Sequence, residues 1–274
     1  MIYREIQNTP VPALGFGTFK LRDDTCRRQV LQALEVGYRH IDTARIYDNE
    51  KQVGSALAET DVAREEFFLT SKIWVEELEP ANVHRSCETS LRLLGTDYLD
   101  LYLIHWPSDR YPLDATLEAM SELREQGKIR HLGVSNFPPS YFERACGLAP
   151  VFTNQVEYHP LLGQDRLLEL ARAHNVLFTA YSPLAQGAVL KEPVLNEIGA
   201  KHGKNAAQVA IHWLLQQDGV AAIPRTGSEE NLRGNFDVFD FELDADDNEQ
   251  IARLPKNVRT INPAFAPDWE DDDT

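Results

Sequence analysis

The fold that the sequence predicts is α/β: a (β/α)8 TIM barrel, one domain over residues 1–274, with an N-terminal β-hairpin. Three observations predict it. Eight short apolar runs recur along the chain, amphipathic stretches lie between them, and nearly every run ends in a polar residue. The opening IYREIQNTPVPALG reads as a hairpin across the barrel bottom, with Asn8 and Thr9 near its turn. The runs follow as LGFG (14–17), YRHI (38–41), FFLTS (67–71), YLDLYLI (98–104), IRHLGV (129–134), FTNQV (152–156), LFTAY (177–181) and VAAI (220–223). Helical stretches between them include 25–35, 50–59, 81–94, 113–126, 165–174 and 205–216. Their apolar residues recur at spacings of three and four, as in Val30, Leu31 and Leu34, which gives each helix one face to lay on a sheet. Gly37, Gly95 and Gly127 follow three of these stretches, where a helix end favours positive φ. After Leu254 periodicity stops and Pro255, Pro263 and Pro267 appear, so the tail is expected to wrap the surface or the pocket mouth.

Composition excludes several classes of function. The net charge of −16 disfavours nucleic acid, which draws on a basic patch. No apolar run reaches the roughly 18 residues of a membrane span, and the start lacks a basic and apolar leader, so a cytoplasmic location is expected; a monomer is expected as well. Cys26, Cys87 and Cys146 are widely spaced and suit buried thiols, with no metal-ligand spacing around them. The acidic bias, which runs into the terminal WEDDDT, is similar to that of proteins from salt-loving organisms, although it equally suits an ordinary acidic protein whose charge serves solubility.

In a barrel of this kind the chemistry sits where the strands end. The runs lead into Asp42, Lys72, His105, Ser135 with Asn136, Gln155 with Glu157, Tyr181 with Ser182, and Pro224 with Arg225. Any one could be a cap or a satisfied core group. Seven together converge on one mouth, and burying them unpaired would cost several kcal/mol. Tyr47, five residues beyond Asp42, can lean over that mouth. A free tyrosine titrates at about 10, too high for efficient acid catalysis at neutral pH. An ammonium at Lys72, held by Asp42, would lower that value, and His105 could orient a carbonyl oxygen as a neutral imidazole. This set has an acid and no activated nucleophile, and no spacing suggests a metal. Protonating a carbonyl oxygen makes sense if a nicotinamide cofactor delivers hydride to its carbon.

The segment Gly15-Phe16-Gly17-Thr18 lacks the third glycine of a dinucleotide fingerprint and reads as a tight turn. A better phosphate site is IPRTGSEEN (223–231), with Arg225, Thr226 and Ser228 just before a helix start. Ser228 could equally be only the helix N-cap.

GYRHIDTARIYDNEKQVG (37–54), LTSKIW (69–74), LDLYLIHWP (99–107), GVSNF (133–137), NQVEYHP (154–160), YSPL (181–184) and IPRTGSEENLRGNF (223–236) together resemble the aldo-keto reductases, in the family's order and over nearly the whole chain. The resemblance implies a catalytic tetrad of Asp42, Tyr47, Lys72 and His105, with Tyr47 as general acid. It implies that Ser135, Asn136 and Gln155 hold the nicotinamide carboxamide, that Tyr181 stacks on the ring, and that Ser182 and Leu184 line the pyrophosphate. Arg225, Thr226 and Asn235 would take the 2′-phosphate and adenine end, with Thr18 and Ile223 completing the cofactor contacts. NADPH is thereby favoured. Many members carry arginine at the position of Asn231 and glutamate at that of Gly234, and these departures leave use of NADH open. Phe19, Trp74 and Trp106 would line the substrate pocket above His105. The short loop PSDRYPLD and the modest tail are similar to microbial members that reduce small polar carbonyls, including methylglyoxal and diketogluconates. The alternative is a regulatory NADPH-binding subunit with little turnover, against which an intact tetrad argues.

Overall fold

The computed structural model describes residues 1–269. Tyr3–Ile6 (β1) and Thr9–Pro12 (β2) pair antiparallel across a turn at Gln7 and Asn8, both at positive φ, so Thr9 opens the second strand rather than the turn. Eight parallel strands follow: Phe16–Gly17 (β3), His40–Asp42 (β4), Phe68–Ile73 (β5), Leu99–Ile104 (β6), Ile129–Ser135 (β7), Thr153–Glu157 (β8), Leu177–Tyr181 (β9) and Val220–Ala222 (β10). A parallel bridge between Leu14 and Ala222 and the bond from Gly17 N–H to Pro224 O (3.0 Å) join the last strand to the first and close the barrel. The hairpin seals the bottom. Ile6 and Val11 pack with Phe68, Leu101, Phe152, Leu177 and Ala221 in the lower layer, and Arg4 Nε donates to Val220 O at 3.0 Å.

The predicted helices form as Asp23–Val36 (α1), Glu50–Glu59 (α2), Pro80–Leu94 (α3), Leu113–Glu125 (α4), Asp165–Ala173 (α6) and Ala206–Leu215 (α8), and Glu229–Phe236 (α9) follows Ser228. Three further helices complete the set: Pro139–Leu148 (α5), Pro193–His202 (α7) and Ala245–Ala252 (α10). Each has a start signal of its own, a proline in the first turn of α5 and α7 and an Asp244 capping box on α10. β5 runs two residues past the run FFLTS, to Ile73, so Lys72 lies inside the strand rather than just after it.

Gly54 of α2 is fixed by close packing. A Cβ there would sit 2.4 Å from Leu93 O and 2.8 Å from Leu94 Cα, at the end of α3. Gly54→Ala gains helix propensity of about 1 kcal/mol, but overpacking against rigid backbone costs about 1–3 kcal/mol. The variant should unfold at lower urea concentration; a higher midpoint would mean that α2 and α3 separate freely.

Candidate active site

At the carboxyl end of the strands Lys72, completely buried, donates from Nζ to Asp42 Oδ1 (2.5 Å) and to Thr43 O (2.9 Å). The other carboxylate oxygen accepts from Gln155 Nε2 at 2.8 Å. A buried ion pair is tolerated when its remaining hydrogen-bonding positions are filled, and here β4, β5 and β8 each supply a member. Tyr47 ends a short 3₁₀ turn between β4 and α2. Asn49, fully buried, locks that turn: its Nδ2 donates to Thr18 O (2.9 Å) and Leu21 O (3.1 Å), and its Oδ1 accepts from Thr43 (2.8 Å). The phenol ring thereby stands 5.1 Å from Lys72 Nζ and 5.6 Å, centre to centre, from the His105 ring.

The electrostatics differ from the sequence expectation in one respect. Burial, then the Asp42 charge, pushes the Tyr47 phenol well above its ordinary value, where Lys72 was expected to lower it. Burial dominates, and the carboxylate paired with the ammonium sets its own charge beside the phenol. Tyr47 is therefore a neutral donor. Burial, with Lys72 adding to it, holds His105 well below the usual imidazole range, so its ring is neutral too. Its Nδ1 is buried without a partner, which leaves Nε2 to meet a ligand in the cavity that His105 lines.

That cavity, about 730 Å³, is of the size that takes a small ligand with part of a cofactor. It brings together Asp42, Tyr47, His105, Ser135, Asn136, Gln155, Tyr181, Ser182, Leu184, Ile223, Arg225 and Thr226, with Phe19, Trp74 and Trp106. Thr18, Lys72 and Asn235 are buried outside its lining, although Thr18 Oγ1 is a buried atom without a partner. Side chains on one wall are preordered: Tyr181 OH donates to Asn136 Oδ1 (2.7 Å), and Asn136 Nδ2 donates to His105 O (2.9 Å) and Ser135 Oγ (3.1 Å). At the far end Gly17 leaves little room for a side chain, its Cβ position lying 3.0 Å from Ile223 O, and exposed Arg225 forms no ion pair among the described residues. Ser228 does cap α9, its hydroxyl accepting from Asn231 N–H at 3.4 Å, which leaves the Arg225 guanidinium beside that capped helix start.

The residues of the roof are not singled out in the sequence, although the tail is expected over the surface or the mouth. Ile46 and Lys20 line one side, Gln186 another, and the tail contributes Thr260, Ile261, Asn262, Pro263 and Phe265. Phe265 sets its ring edge-on to Trp74 (5.6 Å) and Trp106 (5.5 Å). The tail does run over the mouth, as the loss of periodicity and the prolines after Leu254 suggest. Among the described residues no group of three or more His, Cys, Asp or Glu is arranged to hold a metal, and no helix is long and apolar enough to cross a membrane.

A model of the aldo/keto reductase family matches residues 13–256. Methylglyoxal reductase DkgB of Escherichia coli O157:H7 is 41% identical over 266 residues, spanning 95% of this chain and 99% of its own. Glyoxal reductase of Bacillus subtilis is 43% identical, with 91% of each chain covered. A crystal structure named for a 2,5-diketo-D-gluconic acid reductase B superposes with a TM-score of 0.96 at 42% identity over 98% of both chains.

Proposed function

We propose that this chain, which belongs to the aldo/keto reductase family, is an NADPH-dependent reductase of small polar aldehydes and ketones with Tyr47 as proton donor. It is an oxidoreductase by family. The observation that carries the finer reading is the pairing of two neutral groups, Tyr47 and His105, over the buried Asp42–Lys72 pair in one cavity. NADPH, when bound, supplies hydride to the carbonyl carbon. Tyr47 gives its proton to the carbonyl oxygen, and His105 Nε2 orients that oxygen by a hydrogen bond. Asp42 keeps Lys72 in place beneath the phenol and holds Gln155, whose neighbours Ser135 and Asn136 suit a carboxamide. Tyr181 offers its ring for stacking, and Ser182 and Leu184 lie where a pyrophosphate would pass. Arg225 and Thr226, at the start of α9, suit a 2′-phosphate.

The relatives act on methylglyoxal and glyoxal by name, and an aromatic pocket with few polar groups at its substrate end suits such small carbonyls. The test is NADPH oxidation by the purified protein with methylglyoxal, an aromatic aldehyde and a keto-sugar. Substrate-dependent loss of NADPH, fastest with methylglyoxal, is expected. No loss with any carbonyl, alongside tight NADPH binding by fluorescence, would replace this reading with a regulatory NADPH-binding subunit.

A further inference from the structure

Glu157 ends β8 at the barrel mouth, yet it is shut away from solvent and does not line the cavity. Its carboxylate meets no lysine or arginine among the described residues and is satisfied by a histidine and by backbone and hydroxyl donors instead. These are His159 Nε2 (3.2 Å), the backbone N–H groups of Thr260 (2.8 Å) and Ile261 (2.9 Å), and the Thr260 hydroxyl. His159 Nδ1 accepts from Leu161 N–H at 3.3 Å, which places the imidazole proton on Nε2, facing Glu157. Burial pushes the Glu157 carboxyl upward, but these hydrogen bonds outweigh it and hold the group below its ordinary value, as an anion.

A buried carboxylate is costly unless its acceptor positions are filled, and three of these four donors come from two consecutive tail residues. The tail needs Glu157, and Glu157 needs the tail. Thr260 is tied from the opposite side as well, its carbonyl accepting from Gln186 Nε2 (3.1 Å) in the loop after β9. Beyond this double anchor the chain passes Asn262 and Pro263 to Phe265, which closes the aromatic wall against Trp74 and Trp106.

We infer that Glu157 is a specificity-determining positioning residue: it clasps residues 260–261 and thereby sets where Phe265 stands over the substrate. This rests on the reductase reading above. A bulky carbonyl meets the wall that the clasp holds, whereas methylglyoxal is too small to depend on it.

Thr260→Val removes the hydroxyl donor and keeps both backbone bonds, while Glu157→Gln turns an amide N–H toward at least one donor. The measurements are KM and kcat for methylglyoxal and for a bulky aromatic aldehyde, with hydrogen exchange at the amides of Thr260 and Ile261. Thr260→Val should raise KM for the aromatic aldehyde by about tenfold, the scale of one lost hydrogen bond to a charged group. The KM effect for methylglyoxal should be several-fold smaller, the two amides should exchange faster, and Thr260→Ser should restore both readouts. Equal effects on the two aldehydes, or unchanged exchange at 260–261 in both variants, would overturn the clasp. A wild-type protein that reduces no carbonyl would sink the reductase reading alone, and the exchange measurement would still decide whether Glu157 holds the tail.

Discussion

Tyr47→Phe should keep its fold and its hold on NADPH while carbonyl reduction falls by roughly 10²–10⁴-fold, the range expected when a positioned general acid is lost. The ring contacts with Phe19 (5.0 Å) and His105 (5.6 Å) do not depend on the hydroxyl. No side-chain partner holds that hydroxyl among the described residues, so its removal strands no buried group. Stability is therefore expected to change little. Single-turnover rates at saturating NADPH, with cofactor affinity from fluorescence, separate the two effects, and retained turnover would remove Tyr47 from the proton step. The pH dependence follows with its sign. The phenol is an acid only below its pKa, which lies well above 10, and the imidazole is neutral only above its own, which lies well below 6.5. Both conditions hold across neutrality, so kcat/KM for reduction should be level from about pH 6 to 9. A bell centred near neutrality would mean that both groups titrate closer to neutrality than their burial implies.

The parts of this site that the sequence reveals are those fixed by barrel geometry. Asp42, His105, Ser135, Gln155 and Tyr181 stand where apolar runs stop, and a parallel barrel brings those ends together. The roof is different. Thr260, Ile261 and Phe265 belong to an irregular, proline-bearing tail whose path depends on a partner more than 100 residues away in sequence, Glu157. No local period encodes such a contact. Glu157 itself was visible as a polar strand end but looks like a member of the reacting set until its donors are known. The direction of the Tyr47 shift was equally hidden. Sequence supplies a lysine, an aspartate and a tyrosine, but not the burial of the phenol or the placement of the Asp42 carboxylate, which raise its pKa.

Arg225→Ala should weaken NADPH by roughly 10- to 30-fold, at the lower end of what a charge-assisted bond is worth because the side chain is exposed, and should leave NADH nearly unchanged. The asymmetry comes from what surrounds Arg225. Asn231 is neutral and exposed, with its N–H already capped by Ser228. At Gly234 a Cβ would meet nothing within 4 Å, so packing does not demand a glycine there, and no side chain extends toward an adenosine from that position. On the proposed reading, discrimination by the 2′-phosphate would rest on one guanidinium, free of any acidic partner among the described residues, beside the start of α9. A single exposed cation is screened by salt, so the NADPH preference of the wild type should shrink as KCl rises, while Arg225→Ala should show little salt dependence. Dissociation constants for both cofactors at low and high KCl test this directly. Equal losses for NADPH and NADH would place Arg225 on the shared pyrophosphate or in a structural role, and the cofactor preference would have to come from the N–H groups at the start of α9 alone.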